Sequence, residues 1–413
     1  MSGQAGSKTR RIKRMMLGRC FLPSLLIILS LSVSPSLAAA PQQAYADGLD
    51  HLYSLDFSAS EASFRSLTRD YPDNPDYWNA LASSYWLKTL YDQQKLNMES
   101  FDSKDRFGTI DSKDSVSEAE EKQIRDTIDK AINAADAILK RDPKNTRALY
   151  AKGASYATLA TFEATIRRSW LSAARKAKTA RNLHKEVLQL DPSFNDARTA
   201  VGIYNYAVGS LSWGARLLVG VVGLGGEGKE AGIKDLEIAS TKGVRGVVDA
   251  KMLLVVVYGR ERQYEKALKL VDELHAKYPR NFTLDMTKAS LYGKMKRWDL
   301  AAQTYKQMAE KVMTHKDGYE RLRIEKVYYE LANSEFQALK FDEATRVYSL
   351  VAAGATATPN ERANAHLSMG RMSDTRHDRP DALKHYNAVL GLEVSPEIKS
   401  DAQRLIRKAF VSP

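Results

Sequence analysis

Seven histidines, His51, His184, His275, His315, His366, His377 and His385, are the first residues to test for chemistry. A zinc hydrolase would set two of them one helical turn apart with a glutamate between, so that both rings and the base share a face. No H-E-x-x-H run or comparable ligand spacing occurs. The single cysteine, Cys20, cannot supply a thiolate cluster, and no G-x-S-x-G turn exposes a nucleophilic serine. No carboxylate pair stands apart from ordinary surface charge as an acid and base. Gly223 to Lys229 fits the first seven positions of a phosphate-cradling loop, G-x4-G-K, but Glu230 stands where a hydroxyl would hold magnesium, and its carboxylate would repel phosphate. Near Gly108 and Ile110 a calcium-type loop is hinted at, yet Ser103 and Phe107 occupy ligand positions and remove most of its oxygens. These residue types predict no catalytic residue, no metal site and no cofactor.

The elements that remain are an address and a scaffold. The chain has 413 residues, 44% hydrophobic and 27% charged, with a net charge of +12. Residues 1–40 hold six of the 62 Lys and Arg and no acid, so the other 373 residues carry 56 bases against 50 acids, a net of +6. That charge is too dilute to point to nucleic acid. The basic start leads into an apolar run, Phe21 to Val33, and then Ala38-Ala39-Ala40. This is the layout of a secretory signal, and the run is shorter than the ~20 residues a membrane span needs. Residues 1–40 are therefore expected to be a signal peptide and the chain to be exported to the periplasm. Cys20 would leave with that leader, so packing alone must hold the mature chain together.

From residue 41 onward the pattern repeats. Trp78, Leu81, Ala82 and Tyr85 have the spacing W-x2-L-(G/A)-x2-Y. Leu254 and Tyr258 lead to Tyr264, Ala267 and Pro279; Ala289 and Tyr292 lead to Trp298, Ala301 and Tyr305; Leu331 and Ala332 lead to Phe341, Ala344 and Tyr348. Small residues at Gly48, Ala82, Gly153, Gly202, Ala289, Ala332 and Gly370 allow paired helices to approach, while larger ones fill the space between pairs. Prolines 72, 143, 192 and 279 end the second helices. The offsets resemble the tetratricopeptide repeat over nearly all of residues 41–394.

That resemblance implies an all-α fold, a right-handed α-solenoid of about eight helix pairs with insertions near 88–122 and 208–229. The expected units are 41–74, 75–145, 146–194, 195–247, 248–281, 282–324, 325–362 and 363–394, with residues 395–413 forming a capping helix. It also implies a non-catalytic binding role with no single ligand. Counting positions along each first helix, the concave lining is Asn79, Trp86, Tyr150, Tyr206, Met252, Met286, Tyr329, Asn333, Phe336 and Arg371. Such a wall suits a protein or peptide ligand. The family's Lys and Asn clamp for a terminal carboxylate is not reproduced at Asp76, Asn79 and Ser83 or at Arg147, Tyr150 and Ala154.

Two further features mark this chain. The run 213–222 reads as a short apolar helix ended by glycines, which fills the core or presents Trp213, Leu217, Leu218 and Val221 to a membrane surface. The second helix of the third unit carries Arg167, Arg168, Arg175, Lys176, Lys178 and Arg181, a charged face suited to solvent, an acidic partner or anionic lipid. Residues 202–240, with a Tyr-Asn pair, Ser210-Leu211, a Gly-rich turn, Gly232 and Leu236, resemble the Iml2-like tetratricopeptide family, which implies a shared helical layout and a lipid-associated role.

Overall fold

A computed structural model describes residues 36–93, 96, 116–212, 215, 220 and 223–411. Among these residues there are 17 α-helices and no strand. They are α1 (Ser36–Tyr53), α2 (Phe57–Asp70), α3 (Pro75–Asp92), α4 (Glu118–Leu139), α5 (Thr146–Thr165), α6 (Trp170–Leu190), α7 (Arg198–Gly209), α8 (Lys229–Lys242) and α9 (Val247–Arg260). The series continues with α10 (Tyr264–Lys277), α11 (Phe282–Lys294), α12 (Trp298–Met313), α13 (Ile324–Gln337), α14 (Phe341–Ala353), α15 (Pro359–Thr375), α16 (Arg379–Leu390) and α17 (Pro396–Arg407). Consecutive helices pack on one another from α2·α3 to α15·α16, Tyr45 and Gly48 of α1 meet the Phe64 ring of α2, and α17 packs on the last pair. This is an α-solenoid of eight helix pairs with a final helix. The compact array begins at Pro41.

Local chemistry sets the start of several of these helices. Pro72, Pro143 and Pro279 fall just past second helices, and an asparagine two residues on caps the next helix. Asn74, Asn145 and Asn281 accept backbone N–H bonds from Asp76, Ala148 and Thr283 at 3.0–3.1 Å. Where no such asparagine exists, Ser117 with Glu120 and Thr358 with Glu361 form capping boxes for α4 and α15.

Turns inside the pairs are just as regular. Leu55, Arg262, Lys296, Leu339 and His377 all have φ between 57° and 63°. After each, the next N–H reaches the carbonyl five residues back, as in Gln263 to Tyr258 and Arg297 to Tyr292, both 2.8 Å. This closes the first helix with a left-handed residue that is not glycine.

The small residues meet as their spacing predicts. Ala82, Ala289 and Ala332 are buried on first helices, and Ala131, Ala180, Ala267, Ala301, Ala344 and Ala382 on second helices. At Gly48 a Cβ would come within 2.6 Å of the Phe64 ring. Pairs share continuous cores, so that Phe282, Met308, Tyr319, Leu331, Tyr348 and Met369 belong to one cluster. Each pair therefore buries its open face on the next.

Candidate partner-binding wall

The first helices of successive pairs carry a polar and aromatic wall, and part of α1 lies on it. Tyr45, Leu49 and Tyr53 follow at i, i+4 and i+8, one face of α1. Tyr45 packs against Phe64 and Tyr77, with ring centroids 5.9 and 5.6 Å away. Leu49 packs on two of the hydrophobic clusters. Tyr53 stacks on Tyr278 at 5.4 Å, and its carbonyl accepts the Asn281 Nδ2 bond at 2.9 Å. Asn281 thus caps α11 through Oδ1 and grips α1 through Nδ2. The Tyr278 hydroxyl donates to Asp50 at 2.9 Å. Rings continue from Phe57 to Tyr91, Phe282 and Tyr319. The first two pairs are therefore joined to the fifth and sixth.

Acidic groups organise the wall. Asp196 Oδ1 accepts the N–H groups of Val244, Arg245 and Gly246 at 2.9–3.1 Å, which fixes the turn before α9. That turn delivers Arg245 to buried Asp76 at 2.6 Å and places its guanidinium 5.4 Å from the Tyr45 ring. Asp249, one helical turn on, accepts the Tyr53 hydroxyl at 2.9 Å. Asp249 is itself exposed to solvent. The protein around it nevertheless pushes its carboxyl up to about 6; the Tyr53 bond pulls the other way and Asp196 adds to the rise. Burial likewise raises the Tyr150 hydroxyl, with Asp196, Tyr45 and Asp249 contributing. Ring contacts and hydrogen bonds hold α1 on this wall.

The ten residues expected to line a groove divide by surroundings. Tyr150 and Met252 belong to the neighbourhood of α1: Tyr150 feels Tyr45, and Met252 packs on the cluster containing Tyr53. Asn79 is buried, donates to the Ala151 carbonyl at 2.8 Å and accepts from Ser155 at 2.7 Å, tying α3 to α5. Trp86 donates to Thr165 at 3.3 Å. Tyr206 is buried and donates to Glu261 at 3.1 Å, and Met286 is buried in the core. Toward the other end, Tyr329 stands edge-on to Tyr348 at 5.8 Å, and Phe336 packs on Phe341 at 5.7 Å. Asn333 accepts from the Tyr348 hydroxyl. Arg371 pairs with Asp401 of α17 at 2.6 Å. Spacing did not reveal Tyr45, Tyr53, Arg245 or Asp249, because Tyr53 meets Asp249 across 196 residues and Arg245 meets Asp76 across 169.

The Tyr-Asn-Tyr run of α7 positions the glycine-rich return. Tyr204 donates to the Leu224 carbonyl at 2.9 Å, and Asn205 Oδ1 accepts the Glu227 N–H at 3.2 Å. At Gly232 a Cβ would overlap the Tyr206 backbone, so α7 and α8 cross at glycine. Lys229, the lysine of the phosphate-loop pattern, is held by Glu261 at 2.7 Å. Arg167 and Arg168, expected on this basic helix, lie in the turn before α6, where Arg167 pairs with Glu121 at 3.1 Å, and Arg181 on α6 pairs with Glu227 at 3.0 Å. Trp213, Leu217, Leu218 and Val221 lie outside the described residues, as do the calcium-like segment and residues 1–35. Among the described residues no helix is long and apolar enough to cross a membrane, and no three His, Cys, Asp or Glu side chains gather to hold a metal ion.

Residues 45–93 match the family described as tetratricopeptide repeat. No curated protein matches the chain. Among solved structures, yeast Tom70 is 13% identical, with 90% of each chain covered and a TM-score of 0.35. A tetratricopeptide repeat protein from Parabacteroides merdae is 14% identical over 80% of this chain and 99% of its own, with a TM-score of 0.30. The tetratricopeptide protein TTC0263 of Thermus thermophilus is 14% identical over 61% and 98%, with a TM-score of 0.33.

Proposed function

We propose that this chain, whose helix pairs repeat the tetratricopeptide architecture matched at 45–93, is an exported, non-catalytic scaffold that holds a protein or peptide on its first-helix wall. One observation carries the reading: the wall already holds a helix of its own chain. Tyr45, Leu49 and Tyr53 of α1 engage it at i, i+4 and i+8, by ring stacking and through the Tyr53–Asp249 and Asn281–Tyr53 bonds. A partner helix presenting apolar and aromatic groups at that spacing meets the same chemistry. Tyr329, Asn333 and Phe336 extend this wall toward the later pairs.

Export is supported by the basic, apolar and small-residue order of residues 1–40. Crosslinking in the native envelope, followed by recovery of partners, tests the binding role. Tyr329→Ala with Phe336→Ala should reduce recovery while helical circular dichroism is retained; unchanged recovery would remove this wall as the binding surface. Fractionation tests the address, since deletion of residues 2–40 should leave the protein in the cytoplasm.

A further inference from the structure

We infer that His366 and His385 are adjacent ligands for one divalent first-row metal ion of the imidazole-preferring kind, Zn²⁺, Ni²⁺ or Cu²⁺. His366 lies on α15 and His385 on α16, the two helices of the eighth pair. Their Nδ1 atoms are 3.1 Å apart, and the ring planes are inclined at 35°. Two metal–nitrogen bonds of about 2.0–2.1 Å meeting at about 90–110° require nitrogens roughly 2.9–3.4 Å apart. The observed separation therefore matches the edge of a coordination polyhedron.

A carboxylate stands behind the pair. His385 Nε2 lies 3.5 Å from Asp381 Oδ2, which accepts the Ser373 hydroxyl at 2.6 Å. With its hydrogen on Nε2, on the side of Asp381, His385 would present the Nδ1 lone pair, the arrangement that orients a metal-bound histidine. In the metal-free pair, His366 carries its hydrogen on Nδ1 and donates it to His385. The ion replaces this bridge, the His366 hydrogen moves to Nε2, and the protein's net proton count is unchanged.

Both rings are partly buried. No third His, Cys, Asp or Glu joins them among the described residues, so water completes the coordination. The ion is exchangeable and is not needed for folding. The 19 residues between the two histidines hide this pair from within-helix ligand spacing, which is why the sequence predicts no metal site.

Titration of untagged protein with zinc chloride and with nickel chloride, followed by calorimetry, is expected to show one ion per chain. His366→Gln and His385→Gln should each weaken binding at least tenfold, and Asp381→Asn by about tenfold or more. Thermal melts without metal should overlay for all four proteins. Because a substitution could disturb packing, histidine NMR signals of the unaltered protein serve as a second readout, with the resonances of residues 366 and 385 moving first. Equal binding by the two histidine variants, or resonances of the other five histidines that move at lower metal concentration, would overturn the assignment.

Discussion

The Tyr53 hydroxyl donates to the Asp249 carboxylate at 2.9 Å across 196 residues of sequence, joining α1 to the first turn of α9. Surrounding protein makes Asp249 harder to ionise than it is in the unfolded chain, where an aspartate titrates near 3.9. Its folded value is pushed up to about 6. The native state therefore binds the proton more tightly than the unfolded state, and this group's contribution to stability falls as pH rises from about 4 to about 6.

Asp249→Asn keeps an acceptor for Tyr53 and removes the charge. Its melting temperature should exceed that of the unaltered protein at pH 7.5, with the difference closing below pH 4. Melting curves across that range check the sign. An Asn variant that melts lower at pH 7.5 would mean that the carboxylate is stabilised by the wall rather than penalised by it.

Asp285 behaves in the opposite sense. Burial raises its carboxyl, but His275 at 3.1 Å, Lys311 at 2.6 Å and the Tyr319 hydroxyl outweigh it and hold the group well below the usual carboxylate range. Its contribution is present above the unfolded value near 3.9 and is lost as pH falls toward the depressed folded one. Asp285→Asn should cost stability at pH 7, toward the lower end of the ~3–5 kcal/mol typical of a broken buried pair, because Lys311 can turn its ammonium to water. Denaturant midpoints should show the loss at pH 7 and a smaller one at pH 3.

How far the sequence led depends on whether a contact repeats. Trp78, Leu81, Ala82 and Tyr85 state the helix-pair geometry because the same offsets recur, and Ala82 with its counterparts is buried where those offsets place it. Asn74, Asn145 and Asn281 are likewise legible as caps, each lying just after a proline. Nothing periodic announces that Tyr53 meets Asp249, or that Asp196 delivers Arg245 to Asp76. Those contacts depend on how the array closes on its own N-terminal helix. Asn79 and Tyr206 show the converse: counting placed them on a lining, while their hydrogen bonds join neighbouring helices.

Leu339 closes α13 at φ 62° and is 73% exposed. A side chain costs about 1–2 kcal/mol in that left-handed region, while glycine's greater unfolded-state freedom costs back roughly 0.5–1 kcal/mol. Leu339→Gly should therefore stabilise the array by about 0.5–1 kcal/mol, since the backbone bonds from Leu339 to Phe336 and from Lys340 to Glu335 remain. Leu339→Val should move the other way, because a β-branched side chain tolerates this conformation worst. If the denaturant midpoint falls for both, Leu339 is held by packing rather than strained by its backbone.

Gly370 shows what the repeat demands of its small positions. A Cβ there would come under 3.0 Å from the ring of Tyr386, a fully buried side chain on α16. The ring cannot turn aside freely, because the Tyr386 hydroxyl donates to Asp374 at 2.9 Å, and Asp374 is in turn held by Arg379. Gly370→Ala must separate α15 from α16 or break that bond, although alanine itself favours the helix by about 1 kcal/mol. Overpacking costs about 1–3 kcal/mol, so net destabilisation of up to about 2 kcal/mol is expected. The combined variant Gly370→Ala with Tyr386→Leu removes the colliding ring. It should be less destabilised than Tyr386→Leu alone, because helix propensity then acts unopposed. A double-mutant cycle of unfolding free energies measures this coupling, and strict additivity would show that the glycine is not required by the tyrosine.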